Sequence, residues 1–197
     1  MRDSVDVPAG KLGVGALRGY TLSAGAALGV IPGVMLPRFD FALTSATVVK
    51  TPGDADYLLP GTFRVRWTVL GVGTHRSPGF STGVWGIKAG LGACGPLLYD
   101  PTGLVLSVCS EVAAGAMAVQ TKDDATGAIT QNKTVGVGTA SFELASQYNL
   151  GSAFHLDLRA GGEMWLSKLT AERPDGTRLF ESSTFNAYVV AGLGLHF

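Results

Sequence analysis

The stretch His155-Leu-Asp157 sets an imidazole and a carboxylate two residues apart, with Glu163 and Ser167 a few positions further on. In an extended chain residues i and i+2 share a face. His155 and Asp157 therefore read as a base and the acid that orients it, the pairing that activates a serine for acyl transfer. The surroundings weaken that reading. No Gly-x-Ser-x-Gly elbow occurs, and no nucleophile has a partner base at a legible spacing. His155 and Asp157 also sit mid-segment among other charges, where an ion-paired structural role is the default. Gly71-Val-Gly73 and Gly192-Leu-Gly194 look like fragments of a phosphate loop, but they fall inside alternating segments, where glycine relieves crowding. Cys94 and Cys109, with the dispersed His75, His155 and His196, make no zinc pattern, and the sequence carries no cofactor motif.

The elements that must position these residues are strands. Eight segments alternate on a two-residue period, running approximately over 17–30, 38–50, 62–74, 81–94, 104–120, 134–146, 153–171 and 184–197. Frequent glycine, and the lack of apolar i, i+3, i+4 stripes, argue against helices. Pro52-Gly-Asp, Asp100-Pro-Thr-Gly and Pro174-Asp-Gly mark chain reversals. With no internal linker, the chain reads as a tail over 1–16 followed by one domain over 17–197.

Composition decides what surrounds that domain. Only 15% of residues are charged and 28 are glycine, against about 25% charged in ordinary globular proteins. A soluble surface needs more charge than that. No apolar run approaches the roughly 20 residues of a membrane-spanning helix. A chain suited to lipid but lacking such a helix has the closed β-barrel as its remaining solution, because every backbone group must be bonded within the bilayer. Most of the segments exceed the roughly 9–11 residues that a tilted strand needs to cross. Fifteen basic residues balance fifteen acidic ones without clustering, so nothing marks a nucleic-acid partner. Met1-Arg-Asp-Ser begins with mixed charges and no apolar stretch precedes Lys11. Export would then require a signal, or a further domain, ahead of residue 1.

The alternation separates two faces. In the seventh segment Phe154, Leu156, Leu158, Ala160, Met164 and Leu166 oppose His155, Asp157, Arg159, Glu163 and Trp165. A charge on the lipid side at mid-bilayer costs about 2–4 kcal/mol for Arg or Lys, so the polar face must point inward. The same logic turns Arg38, Asp40, Arg64, Arg66, Lys88, Glu111 and Glu143 into the lumen. Five cations, Arg38, Arg64, Arg66, Lys88 and Arg159, then face five anions, Asp40, Glu111, Glu143, Asp157 and Glu163. An eight-stranded barrel is just wide enough for side chains to fill it. A balanced set therefore predicts a cross-linked ionic plug and not an open channel. Trp67, Trp85, Phe142, Phe154, Phe185 and Phe197 fall on the lipid side.

The chain closes on Tyr188-Val-Val-Ala-Gly-Leu-Gly-Leu-His-Phe197. With Gly192, Leu195 and the terminal Phe197 in place, this ending resembles the assembly signal of bacterial outer-membrane barrels; Val190 departs from the polar residue usual there. The domain as a whole resembles, in architecture only, the small eight-stranded up-and-down class typified by the transmembrane domain of outer-membrane protein A. The resemblance implies a Gram-negative outer membrane, lipid and lipopolysaccharide as surroundings, the barrel assembly machinery as a partner, and Phe197 at the periplasmic rim. The connections around 31–37, 75–80, 121–133 and 172–183 then face outward. Those near 52–61, 95–103 and 148–152 face the periplasm, where 52–61 is long for such a turn and leaves the pairing of the first three strands least defined. Cys94 and Cys109 share lumen parity near that rim, where an oxidising compartment permits a disulfide; a slip of one residue would turn a thiol outward.

For function the expectation is a membrane anchor or structural interaction protein with a plugged lumen, touching protein partners through exterior loops or a further N-terminal domain. A narrow pore or small-solute transporter, a lipid-modifying enzyme and a soluble lipocalin-like binder are the alternatives.

Overall fold

The computed structural model describes residues 17–50, 56–100, 103–151 and 153–196. The 1–16 tail and Phe197 lie outside them. Ten strands follow in order: β1 (Leu17–Ile31), β2 (Val34–Lys50), β3 (Asp56–Ser77), β4 (Phe80–Tyr99), β5 (Leu104–Asp123), β6 (Ile129–Asn149), β7 (Phe154–Trp165), β8 (Thr170–Glu172), β9 (Arg178–Glu181) and β10 (Phe185–His196). Strands β1 to β7 and β10 pair antiparallel, neighbour to neighbour, and β10 closes the ring on β1; β8 and β9 form a separate hairpin.

The ring is sheared. Stepping across it by register from Leu195 through Tyr20, Leu43, Val65, Leu91, Val112, Ala140 and Met164 returns to β10 at Phe185, a stagger of ten residues. Such a stagger tilts the strands by about 40°. Closure leaves no ladder edge within the barrel wall, which is what lipid demands of a β-structure.

Burial is inverted relative to a soluble protein. Phe142 is 62% exposed while its neighbour Glu143 is 1% exposed. Along β7, Phe154, Leu156, Leu158 and Met164 face out while His155, Arg159, Glu163 and Trp165 are buried. Trp67, Trp85, Phe39 and Phe185 also face out. On the outer wall Tyr20, Phe41 and Trp67 form a ladder across β1, β2 and β3, with ring centroids 6.3 and 5.5 Å apart. Among the described residues no helix is long and apolar enough to cross a membrane; the crossing is made by strands.

Several expected boundaries move. The first connection shrinks from 31–37 to a turn at Pro32-Gly33, where Gly33 takes φ +72°, a conformation that favours glycine. The long link expected over 52–61 is shorter, because β2 and β3 go on pairing to Lys50↔Asp56; residues 51–55, with Pro52-Gly-Asp, lie outside the described residues. The pairing of β1, β2 and β3 is consecutive. Strand β7 ends at Trp165, not Ala171. The stagger is the reason: β10 begins at Phe185 opposite Met164, so beyond Trp165 that neighbour is gone. The chain then folds inward as β8–β9, turning at Pro174-Asp-Gly with Gly176 at φ +84°.

On the other side of the ring the strands run on. Strand β5 pairs with β6 as far as Lys122↔Ile129, whereas the β6–β7 register stops at Thr139↔Trp165. The expected 121–133 loop is therefore mostly strand, and β3 to β6 project past β7 and β10 at the hairpin end of the barrel.

Candidate functional site in the barrel lumen

Every charge assigned to the lumen from the alternation lies inside the barrel, and the ten form one connected network. Asp40 is its hub. It accepts from Arg38 Nε at 3.1 Å and from Thr68 Oγ1 at 2.8 Å, and it lies 3.7 Å from Arg66 and 3.5 Å from Arg159. Arg66 extends the network by donating from Nε to Glu111 at 3.0 Å and from Nη1 to Glu143 at 2.7 Å, with Nη2 2.8 Å from Glu111. Arg64 bridges the same two carboxylates, at 3.3 Å to Glu111 and in contact with Glu143. Glu163 joins Lys88 to Arg38, with Arg38 Nη1 at 3.5 Å. Arg159 donates to Asp157 at 2.6 Å and also meets Ser23, tying in β1.

Burying charges is costly, and the attraction between them repays that cost only when the remaining donors and acceptors are also satisfied. The pairing of five cations with five anions meets the first condition. Hydroxyls and one aromatic help with the second. Tyr188 on β10 donates to Glu143 at 2.6 Å, and its ring lies 3.7 Å beneath the Arg38 guanidinium and 5.7 Å from that of Arg66. A cation over such a face is attracted to the ring quadrupole. Neither Tyr188 nor Thr68 stood out in the sequence as part of the site. Their inward parity was readable, but nothing in their type marked them as partners.

The lumen is not ionic throughout. Toward the hairpin end the inward positions are mostly apolar, with the buried hydroxyls of Thr82 and Thr121 3.0 Å apart among them. Val30, Ile31, Leu36, Leu70, Val84, Met117, Val119, Val137 and Trp165 are buried, and Leu169, Ala171 and Phe180 from the β8–β9 segment close over them. His75 packs on Phe180 with ring centroids 5.3 Å apart. Two layers therefore fill the lumen, one ionic and one apolar.

The proposed base and orienter do not meet Ser167. His155 is buried near the start of β7 and is hydrogen-bonded to Thr21, with Nε2 3.1 Å from Oγ1. It is seated there because residue 194 is glycine, since a Cβ at that position would lie 2.0 Å from the imidazole. Asp157 pairs with Arg159. Ser167 follows the opposite end of β7, roughly 30 Å or more away along an extended strand. Cys94 and Cys109 stand opposite each other in the β4–β5 register and are joined by a disulfide, with Cys109 buried. Among the described residues no group of three or more His, Cys, Asp or Glu side chains could hold a metal ion. In the closing strand Gly192 lies against β1, where a Cβ would meet Leu22 O at 2.2 Å, and Leu195 is half-buried.

No protein-family model matches the sequence, and no curated protein matches it. Solved structures do. A major outer membrane protein of Thermus thermophilus aligns with a TM-score of 0.56 at 12% identity, over 91% of this chain and 99% of that one. Neisserial surface protein A aligns with a TM-score of 0.53 at 11% identity, over 91% of this chain and 96% of that one. At such identities the likeness establishes the fold: the chain has the architecture of the small eight-stranded outer-membrane β-barrels.

Proposed function

We propose that this chain is a sealed anchor in a bacterial outer membrane that holds a protein-binding surface outside the cell and conducts nothing. The observation that carries this reading is the double filling of the lumen. A solute entering from the hairpin end meets an apolar layer built from Leu36, Val84, Met117 and Trp165, and beneath it a salt-bridged layer centred on Asp40 and Arg66. Opening a path requires both to move, and the second cannot move without separating buried opposite charges.

In this reading the hairpin end faces outward and the chain termini face the periplasm. Lipid and lipopolysaccharide surround the apolar belt, and Gly192, Leu195 and Phe197 serve the assembly machinery during insertion. The projecting wall of β3 to β6 is the surface offered to protein partners. Planar-bilayer recording of the purified, refolded protein tests the sealed state. Flat current traces over a wide voltage range are expected, and regular unitary openings would overturn the reading.

A further inference from the structure

We propose that a groove on the outer wall, along the seam of β1 and β10, is a lipid site that holds one acyl chain of a phospholipid from the periplasmic leaflet. This rests on the reading above, since it takes the chain termini to face the periplasm. The groove has a volume of about 810 Å³, within the range of about 300–1,000 Å³ typical of sites that enclose small molecules. Phe41 and Trp67 line one wall, Leu193 and Phe154 the other, and Ala24 and Ala191 lie between them. The rings of Phe41 and Trp67 stack with centroids 5.5 Å apart, so that wall presents one continuous flat side.

The register explains why the wall is hollow there. Ala24 and Ala191 are direct partners across the seam and both face out, whereas two residues nearer the termini Leu22 stands opposite Leu193. Ser23 and Asp40 also border the groove, but their side chains turn into the lumen, where Ser23 meets Arg159 and Asp40 meets Arg38. Apart from Tyr20 at its lower end, the groove shows apolar side chains to the outside. A chain seated in it fills the wall at the seam where β10 closes the ring on β1.

The occupant follows from what can reach this face. Leu22, Phe41, Trp67 and Leu193 belong to the outward apolar belt, so hydrocarbon surrounds the groove. An extended peptide would bring backbone groups that find no partner in hydrocarbon. A second copy inserted the same way, in a closed two-copy contact, sets the same face against itself. Groove would then oppose groove, and two hollows enclose a void that packed interfaces avoid. An acyl chain has no polar group along its length and takes the shape of the groove. Depth selects the leaflet: Leu195, Tyr20 and Phe154, at the lower end, lie near the end of β10 and the starts of β1 and β7. The groove is therefore entered from the headgroups on the side of the termini.

Three tryptophans make the test direct, because Trp67 lines the groove, Trp85 stands on the outer wall of β4 and Trp165 is buried in the lumen. Trp67 and Trp85 are 42% and 51% exposed, so indiscriminate contact with lipid quenches both alike. The refolded protein in detergent micelles is titrated with phosphatidylethanolamine brominated along its chains. Trp85→Phe reads Trp67 and Trp67→Phe reads Trp85, with Trp165 as a common background. We expect Trp67 to be half-quenched at a lipid fraction roughly tenfold lower than Trp85, with saturation at a single lipid per barrel. In the Trp85→Phe background, Ala24→Phe fills the groove and should abolish this early quenching, and Ala191→Leu supplies the same readout should Ala24→Phe not fold. Ala114→Phe, on the opposite side of the ring, should leave it intact. Unbrominated phosphatidylethanolamine should restore Trp67 fluorescence, and lipid A should not. Equal quenching of Trp67 and Trp85, or early quenching that survives both groove-filling changes, would overturn the proposal. So would weaker quenching of Trp67 than of Trp85, which would assign the groove to a second copy, and displacement by lipid A ahead of phospholipid, which would move the occupant to the other leaflet. Unitary conductance would overturn the sealed-anchor reading and leave a groove-specific quenching result standing.

Discussion

The two halves of the lumen fill the same cylinder by opposite means. Around Asp40 and Arg66 the interior is held by directional, charge-assisted contacts. Every strand of the barrel contributes, from Ser23 on β1 to Tyr188 on β10. Around Met117 and Trp165 it is held mainly by apolar packing. The difference follows from what each layer would otherwise meet. The apolar layer lies toward the open mouth, where the alternative to packing is water and the hydrophobic effect applies in full. The ionic layer lies at the depth of the lipid belt, where a barrel in the wrong register would put charge into hydrocarbon. A one-residue slip of any strand would do that, so the ionic layer selects the register and the apolar layer closes the end.

Breaking the ionic layer should have the largest effect. Arg66→Met leaves Glu111, Glu143 and Asp40 facing one another without their shared cation. Removing one partner from a buried ionic set costs about 3–5 kcal/mol. We expect a loss of that size in urea unfolding followed by the heat-dependent gel shift of a folded barrel. Replacing Arg64, Arg66, Glu111 and Glu143 together with apolar residues removes two cations with the two anions they share, and should cost less than the single change. A single substitution worth under about 1 kcal/mol would show that the layer does not hold the fold.

The apolar layer should respond to volume and not to charge. Met117→Ala removes a side chain that is 1% exposed and should cost about 2–4 kcal/mol through the cavity it leaves. It should open no conductance, because the ionic layer beneath it stays shut. Unitary currents from this variant would mean that the apolar layer alone is the seal.

These layers were unequally legible in the sequence. The barrel and its ionic residues could be read because charges beside large apolar residues, as in Phe39-Asp40-Phe41 or Phe142-Glu143-Leu144, leave one choice of face. The apolar layer was less direct. In Ala116-Met117-Ala118-Val119 both faces are apolar, so these residues carry no sign of their own, and their inward direction follows only by counting along β5 from Glu111. The inward fold of 166–184 was hidden for a related reason. The period of two continues through Leu169 and Ala171, and the strand ends where β10 no longer accompanies it, a consequence of the stagger.

The disulfide sharpens the comparison more gently. Cys94 and Cys109 are separated by 15 residues, and their strands are already joined in register. Loop closure of that length contributes about 3 kcal/mol at most, and less where pairing has already restricted the chain. Adding a reductant should therefore lower the unfolding midpoint while leaving a folded, sealed barrel. Collapse of the gel shift on reduction alone would place the disulfide on a par with the ionic layer.

The smallest effect concerns the hairpin that closes the apolar layer. Asp175 sits at its tip and accepts a backbone hydrogen bond from Thr177 at 2.9 Å. That bond holds its carboxyl below the ordinary aspartate value of 3.8. A carboxylate with a depressed folded value favours the folded turn above the unfolded value, and the benefit fades as pH falls through the lower folded one. The turn is fully exposed, so the change should stay local. Titration of the Asp175 carboxyl carbon by NMR should give a midpoint below that of an unstructured aspartate, with the Thr177 amide signal moving in step. The buried signals of Phe180 and Met117 should remain still over the same range. Joint movement of all four would show that the hairpin tip and the apolar layer open as one unit.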